Sequence, residues 1–188
     1  MAKRKFFKEY LNEKKTVGAV APSSKFLCKK MLKNVDFSKD LVILEFGPGT
    51  GVFTEEIIER MTPNSVLYVF ELHEMFYNNL KENIKDSRVK IFHDSAEKSE
   101  FYLNKDNFHH ADYVLSSLPL AVIPQEVKTQ ILDASKKVLG EKGKYIQFQY
   151  SLNAKKLLKT YFTKMNINFS AVNIPPAFVY TCSNEKKA

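Results

Sequence analysis

A glycine-rich turn set between an apolar run and a helix-length segment constrains this chain more than any other feature. The run Leu41–Phe46 leads into Glu45-Phe46-Gly47-Pro48-Gly49-Thr50-Gly51, and the segment Phe53–Met61 follows. Glycines at this point allow a tight turn and let a ligand approach the backbone closely. Twenty residues beyond Gly51 stands Glu71, at the end of the next apolar run. A carboxylate there can accept hydrogen bonds from both hydroxyls of a ribose. Strand, turn, helix and acidic strand end, in that order, point to a nucleoside-binding α/β domain.

The alternation continues along the chain. Ser65–Phe70, Val89–His93, Tyr113–Ser116, Lys144–Tyr150, Ile167–Val172 and Ala177–Thr181 read as further strands. Met75–Asp86, Ala96–Asn104, Gln125–Leu139 and Asn153–Tyr161 have helical length. In Gln125–Leu139 the residues Val127, Ile131, Ala134, Val138 and Leu139 recur at three- and four-residue steps, forming one buried stripe. Strands that are nearly all apolar and alternate with helices predict a mostly parallel sheet covered on both faces. The last two strands lack a long helix between them and predict an antiparallel hairpin at one edge. Before the sheet lie two helical segments, Lys3–Glu13 and Ser23–Asn34. The second has Ser23 or Ser24 as cap and Phe26, Leu27, Met31 and Leu32 on one side.

Charge divides the 188 residues into two parts. Residues 1–39 carry 11 basic and 3 acidic side chains, which accounts for the whole net charge of +8; the remainder is neutral, with 18 of each. The expected organisation is therefore a basic helical cap over residues 1–39 and a neutral domain over 40–188. No apolar stretch approaches the roughly 20 residues of a membrane span. Charges at Lys8, Glu9, Glu13, Lys14 and Lys15 argue against a secretory leader. Cys28 and Cys182 are lone thiols without a CxxC pattern, and His73, His93, His109 and His110 lack ligand spacing. No metal is expected, His109-His110 reads as a solvated loop, and a reducing cytoplasmic setting fits.

The glycine spacing is G-x-G-x-G, unlike the dinucleotide pattern G-x-G-x-x-G. Glu45 just before the turn would repel a phosphate and suit a cationic amine. A ligand carrying both an amine and a ribose is S-adenosyl-L-methionine, and Glu-x-Gly-x-Gly-x-Gly resembles the cofactor loop of class I methyltransferases. That resemblance implies a Rossmann-like fold with a seven-stranded, mostly parallel sheet. It implies that Glu45 lies near the methionine amine, that Gly47, Gly49, Thr50 and Gly51 line methionine and ribose, and that Glu71 holds the ribose. At the end of the third strand it assigns Asp94 and Ser95 to the adenine, although Asp94 also suits the role of a helix cap.

After the fourth strand comes Ser116-Ser117-Leu118-Pro119-Leu120, the position that faces the transferring methyl in such enzymes. Amino methylases of nucleic acids carry Asn or Asp and an aromatic residue there; this chain has Ser117 and Leu120, so a flipped base would lose its stacking partner. Read together, Thr16–Ser24, Glu45–Thr54, Ser117–Leu120, Gln147–Tyr150 and Asn173–Tyr180 resemble the bacterial phospholipid N-methyltransferases, which methylate phosphatidylethanolamine, and more distantly the rRNA adenine dimethylases. The Gly-Ala-x-x-Pro-Ser-Ser and Asn-x-Pro-Pro-Ala-x-Val segments discriminate; Gln149 departs from the pattern, where Thr is expected. The resemblance implies methyl transfer to a lipid amine, with Ser117, Leu118, Pro119, Tyr150, Asn173 and Tyr180 on the substrate side. Tyr150 and Tyr180 suit core packing equally well. In Lys3–Glu13, Phe6 with Tyr10 and Phe7 with Leu11 form an apolar face, so residues 3–15 are expected either to lie on an anionic membrane surface or to pack on the domain. A nucleic-acid partner ranks below lipid, no obligate protein partner is expected, and the enzyme is expected at the inner face of the cytoplasmic membrane.

Overall fold

The computed structural model describes residues 25–171, 173 and 175–184. The segment 3–15, the Thr16–Ser24 motif and most of the proposed basic cap lie outside the described residues. In chain order the elements are α1 (Lys25–Leu32), β1 (Val42–Phe46), α2 (Val52–Ile58), β2 (Val66–Phe70), α3 (Glu74–Asn83), β3 (Val89–Phe92), a 3₁₀ turn (Ala96–Lys98), α4 (Ser99–Lys105), β4 (Ala111–Ser116), α5 (Gln125–Val138), β5 (Leu139–Gln149), α6 (Ala154–Tyr161), β6 (Lys164–Ser170) and β7 (Ala177–Ser183).

The strands form one seven-stranded sheet in the order β3-β2-β1-β4-β5-β7-β6. The first five are parallel, and β7 runs antiparallel between β5 and β6. The expected doubly covered parallel sheet and edge hairpin are therefore both present. Alternate residues along each strand feed opposite faces. Leu44, Phe46, Tyr68, Phe70, Val114 and Tyr145 pack under α4, α5 and α6. Ile43, Leu67, Val69, Leu115, Ile146 and Val179 pack under α1, α2 and α3. Both sets are buried, which explains why these strands read as unbroken apolar runs.

The strand order reverses between β1 and β4. In open α/β sheets a crevice opens at such a point, beyond the carboxyl ends of the strands. The turn after β1, Glu71 after β2, Asp94 after β3 and Ser117 after β4 all gather there. Arg88 braces the opposite end of the sheet. Its guanidinium donates to the Met61 and Ile58 carbonyls at 2.7 and 3.1 Å, satisfying backbone groups left open where α2 ends, and pairs with Asp86 at 2.6 Å.

Three expectations need correction. In α1 the buried set is Leu27, Cys28, Met31 and Leu32, whereas Phe26 is 61% exposed. The face that meets the sheet is thus rotated by one residue from the apolar stripe. Strand β6 starts at Lys164 rather than Ile167, because an edge strand with Asn166 and Asn168 on one face carries only half the apolar signal. Strand β5 starts at Leu139, directly after α5. Its register jumps from Leu139 opposite Ala111 to Lys144 opposite Tyr113, so continuous pairing begins where the apolar run predicts it. The His109-His110 pair lies in an exposed loop, as expected.

Candidate cofactor and acceptor sites

The turn after β1 needs its glycines for two different reasons. Gly47, Gly49 and Gly51 all have positive φ, at 68°, 60° and 89°. A Cβ on Gly47 would sit 2.7 Å from Leu118 Cδ2, and one on Gly51 would sit 2.8 Å from Leu80 Cδ2. Those two glycines allow close packing. In front of Gly49 there is nothing within 4 Å, so it faces open space. Thr50, at the tip of the turn, is exposed.

Glu71 is 2% exposed, and its carboxylate accepts from the Gly49 N–H at 3.1 Å and the His73 N–H at 2.8 Å. It therefore fastens the glycine turn as well as lining the cleft. Burial pushes its pKa up to about 7, against the opposing pull of the His73, Gly49 and Leu72 backbone bonds. Glu45 is 1% exposed, and both its carboxyl oxygens lack a hydrogen-bond partner. Burial pushes it up to about 8; the nearby Thr54 hydroxyl opposes this from outside hydrogen-bond geometry, and the Glu71 charge adds to it. A buried carboxyl without a partner is costly, and a cationic amine beside it removes that cost.

A cleft of about 370 Å³ runs between Glu71 and α5; of the glycine turn and its flanking acid only Gly47 lines it, and Glu45 lies behind its wall. Gly47, Glu71, Leu72, Asp94, Ser95 and Ala96 form one wall, and Leu118, Ile123, Pro124, Val127 and Ile131 form the other. Glu71, Asp94 and Ser95 on one side, and the exposed Glu126 on the other, sit among mostly apolar side chains, a lining that suits a nucleoside. Val127 and Ile131 belong to the stripe that reads in sequence as core; they serve as cleft wall too. Burial would raise the Asp94 pKa, but Lys98, the Ser95 N–H and Tyr102 hold it below the ordinary carboxylate range. Asp94 Oδ2 accepts from Tyr102 Oη at 2.9 Å, and the Lys98 ammonium lies 2.9 Å from Oδ1. Asp94 thus lines the cleft while tied to the start of α4, and Ser95 occupies the cap position of the 3₁₀ turn.

The loop Ser117–Leu120 divides this cleft from a second cavity of about 160 Å³. Leu118 faces the first; Ser117, Pro119, Val122, Phe148, Gln149, Tyr150 and Ser151 line the second. Tyr150 is 44% exposed at its rim, with its ring edge-on to Phe148. Tyr180 is wholly buried, and its hydroxyl donates to the Ser151 carbonyl at 3.1 Å; it supports the cavity floor from behind. Asn173 is buried and donates to the Pro175 carbonyl at 2.7 Å, shaping the β6–β7 connection. The Leu118 carbonyl already accepts from Gln147 Nε2 at 2.9 Å, Gln149 Nε2 at 2.8 Å and the Leu120 N–H at 2.9 Å. The roles of Gln147 and Gln149 are invisible in sequence, because their meeting point with residue 118 depends on β4–β5 register. Among the described residues no cluster of His, Cys, Asp or Glu could hold a metal ion.

A seven-stranded sheet of this order, with a glycine turn and buried carboxyls at the carboxyl ends of its strands, is the arrangement of a class I methyltransferase, dependent on S-adenosyl-L-methionine. The comparisons agree. The family described as ribosomal RNA adenine dimethylase matches residues 3–175, and the chain belongs to it. An ornithine lipid N-methyltransferase from Singulisphaera acidiphila is 24% identical over 185 residues, covering 97% of this chain and 96% of that protein. A ribosomal RNA small subunit methyltransferase A from Ureaplasma parvum is 30% identical over 98 residues, covering 50% of this chain and 34% of the relative's length. The crystal structure of a precorrin-6y C5,15-methyltransferase from Geobacter metallireducens shares the fold, with TM-score 0.66 at 15% identity, covering 83% of this chain and 86% of that one.

Proposed function

We propose that this enzyme methylates the primary amine of a membrane lipid headgroup, phosphatidylethanolamine or a similar amino-lipid. The observation that carries this reading is the small acceptor cavity and the surface around it. Val122, Tyr150 and Leu152 are each close to half exposed at or beside its mouth. Lys155 and Lys156 are exposed on α6 just beyond. An apolar rim beside lysines suits an anionic lipid surface. A further cavity of about 380 Å³ shares Ala121 with the acceptor cavity and is lined by Lys128 and Lys156, a setting for the acidic part of a zwitterionic headgroup. Leu120, where a base-stacking ring is expected in nucleic-acid enzymes, is a buried core residue. The relative matched over nearly its full length acts on a lipid, whereas the rRNA relative is matched over about a third.

Glu45 would hold the cofactor's ammonium, Glu71 its ribose hydroxyls, and the Asp94–Ala96 wall its base. When bound, S-adenosyl-L-methionine supplies an electrophilic methyl group. The protein's part is to receive the acceptor amine neutral, although a free amine of this kind has a pKa near 10. Entry into a cavity floored by Phe148 lowers that value by desolvation. The surplus proton leaves at the solvent-exposed rim, and the loop Ser117–Pro119 fixes the nitrogen close to the cleft. Tyr150 offers its ring to the methylated cations that form. On this reading the enzyme is peripheral at the cytoplasmic face of the inner membrane, and residues 3–15 add to its attachment. Among the described residues no helix is long and apolar enough to cross a membrane.

The test is transfer of labelled methyl to vesicles of phosphatidylethanolamine with an anionic lipid, run beside rRNA. Label in the lipid is expected. Label in RNA alone, under conditions where cofactor binds, overturns the lipid reading.

A further inference from the structure

Beneath the acceptor loop sit two glutamines, two residues apart on β5. Both are buried, and both donate Nε2 to the same two carbonyls. Gln147 reaches Leu118 O at 2.9 Å and Phe148 O at 2.9 Å; Gln149 reaches them at 2.8 and 2.7 Å. An amide nitrogen facing two carbonyl oxygens cannot exchange places with its own oxygen without setting lone pairs against lone pairs. The orientation of each amide is therefore fixed.

The oxygens then have different fates. Gln147 Oε1 accepts from Tyr145 Oη at 2.7 Å, deep in the core. Gln149 Oε1 receives no hydrogen bond among the described residues, and Gln149 lines the 160 Å³ cavity beside Ser117, Pro119 and Tyr150. The neighbouring Leu118 carbonyl has its two lone pairs taken by three donors and is not free to receive a substrate N–H.

We propose that Gln149 Oε1 is the acceptor that binds and orients the substrate amine. This rests on the amine-methylating reading above and adds a determinant of how many methyl groups are transferred. A neutral primary amine gives one N–H to Gln149 and keeps its lone pair for the methyl carbon. A secondary amine still has one N–H. A neutral tertiary amine has none, so the third transfer proceeds without this contact. Gln149 thus assists the first two methylations and not the last.

The experiment compares wild type, Gln149→Met and Gln147→Met on vesicles of phosphatidylethanolamine and of its mono- and dimethylated forms. Both variants lose the same pair of carbonyl bonds, and Gln147→Met loses the Tyr145 bond as well, so Gln147→Met sets the upper limit for the effect of loosening the loop. Gln149→Met is expected to lower kcat/KM by about tenfold to a hundredfold on the primary and secondary amines, the worth of one hydrogen bond to a reacting polar group. On the tertiary amine it should fall no further than Gln147→Met does. Equal loss on all three amines in both variants overturns the proposal and leaves Gln149 as loop support. A wild-type enzyme inactive on all three lipids overturns the lipid reading itself, and with it this inference.

Discussion

Replacing Glu45 by Gln should stabilise the cofactor-free enzyme at alkaline pH while removing its affinity for cofactor. Glu45 is buried with neither oxygen hydrogen-bonded, and its pKa stands at about 8 against an ordinary 4.5. Between those values the unfolded chain has given up this proton and the folded chain has kept it. The folded state then binds more protons, so stability falls as pH rises through the interval and levels off above about 8. At 1.36 kcal/mol per pH unit the interval is worth about 5 kcal/mol. Gln has the same shape and no charge to desolvate. Near pH 4.5 the two proteins should lie within about 1–3 kcal/mol of each other, the range for an altered buried polar group. By pH 8.5 the variant should have gained up to about 5 kcal/mol on the wild type. Glu71, pushed up to about 7, adds a pH dependence that both proteins share. Urea unfolding at several pH values, extrapolated to water, measures the difference. Calorimetric titration with S-adenosyl-L-methionine should show the affinity lost in the variant. A stability difference that does not change with pH would refute the idea that Glu45 is held unpartnered in the folded state.

The three glycines should separate under substitution. Gly51→Ala drives a Cβ to within 2.8 Å of Leu80 at φ 89° and should lower stability by about 1–3 kcal/mol, seen in thermal melts. Gly49→Ala meets no atom within 4 Å, so beyond a left-handed backbone cost of about 1–2 kcal/mol it should act chiefly on cofactor affinity. Glu71→Ala removes the acceptor of the Gly49 and His73 N–H groups, and should weaken cofactor binding by at least tenfold while raising amide exchange at Gly49. Cys28 and Cys182 are fully buried, and burial pushes each thiol up to about 12. A thiol reagent at pH 8 should therefore label neither until the protein is unfolded in urea.

Much of this was readable from residue order because two kinds of signal act locally. The β1 and β2 runs are apolar on both faces, so they announce a covered parallel sheet without knowledge of their neighbours. The glycines at 47, 49 and 51 and the acids at 45 and 71 fall where their spacing predicts, at the carboxyl ends of β1 and β2 and in the turn that leads to α2. What stayed hidden depends on register or rotation. Phe26 and Cys28 exchange roles through a small rotation of α1 against the sheet. Val127 and Ile131 look like core until the cleft beside Glu71 is seen. Gln147 and Gln149 look like ordinary polar strand residues; only the pairing of β5 with β4 brings them beneath Leu118, whose carbonyl they occupy.

The proposed acceptor of the methyl group is a lipid amine. Isotope-labelled S-adenosyl-L-methionine, wild-type enzyme and amino-lipid vesicles, followed by NMR of the extracted product, locate the transferred carbon directly. The label is expected on the headgroup nitrogen, with uptake reduced when Lys155 and Lys156 are changed to Glu. Label absent from lipid and found on an adenine nitrogen of added rRNA would contradict it.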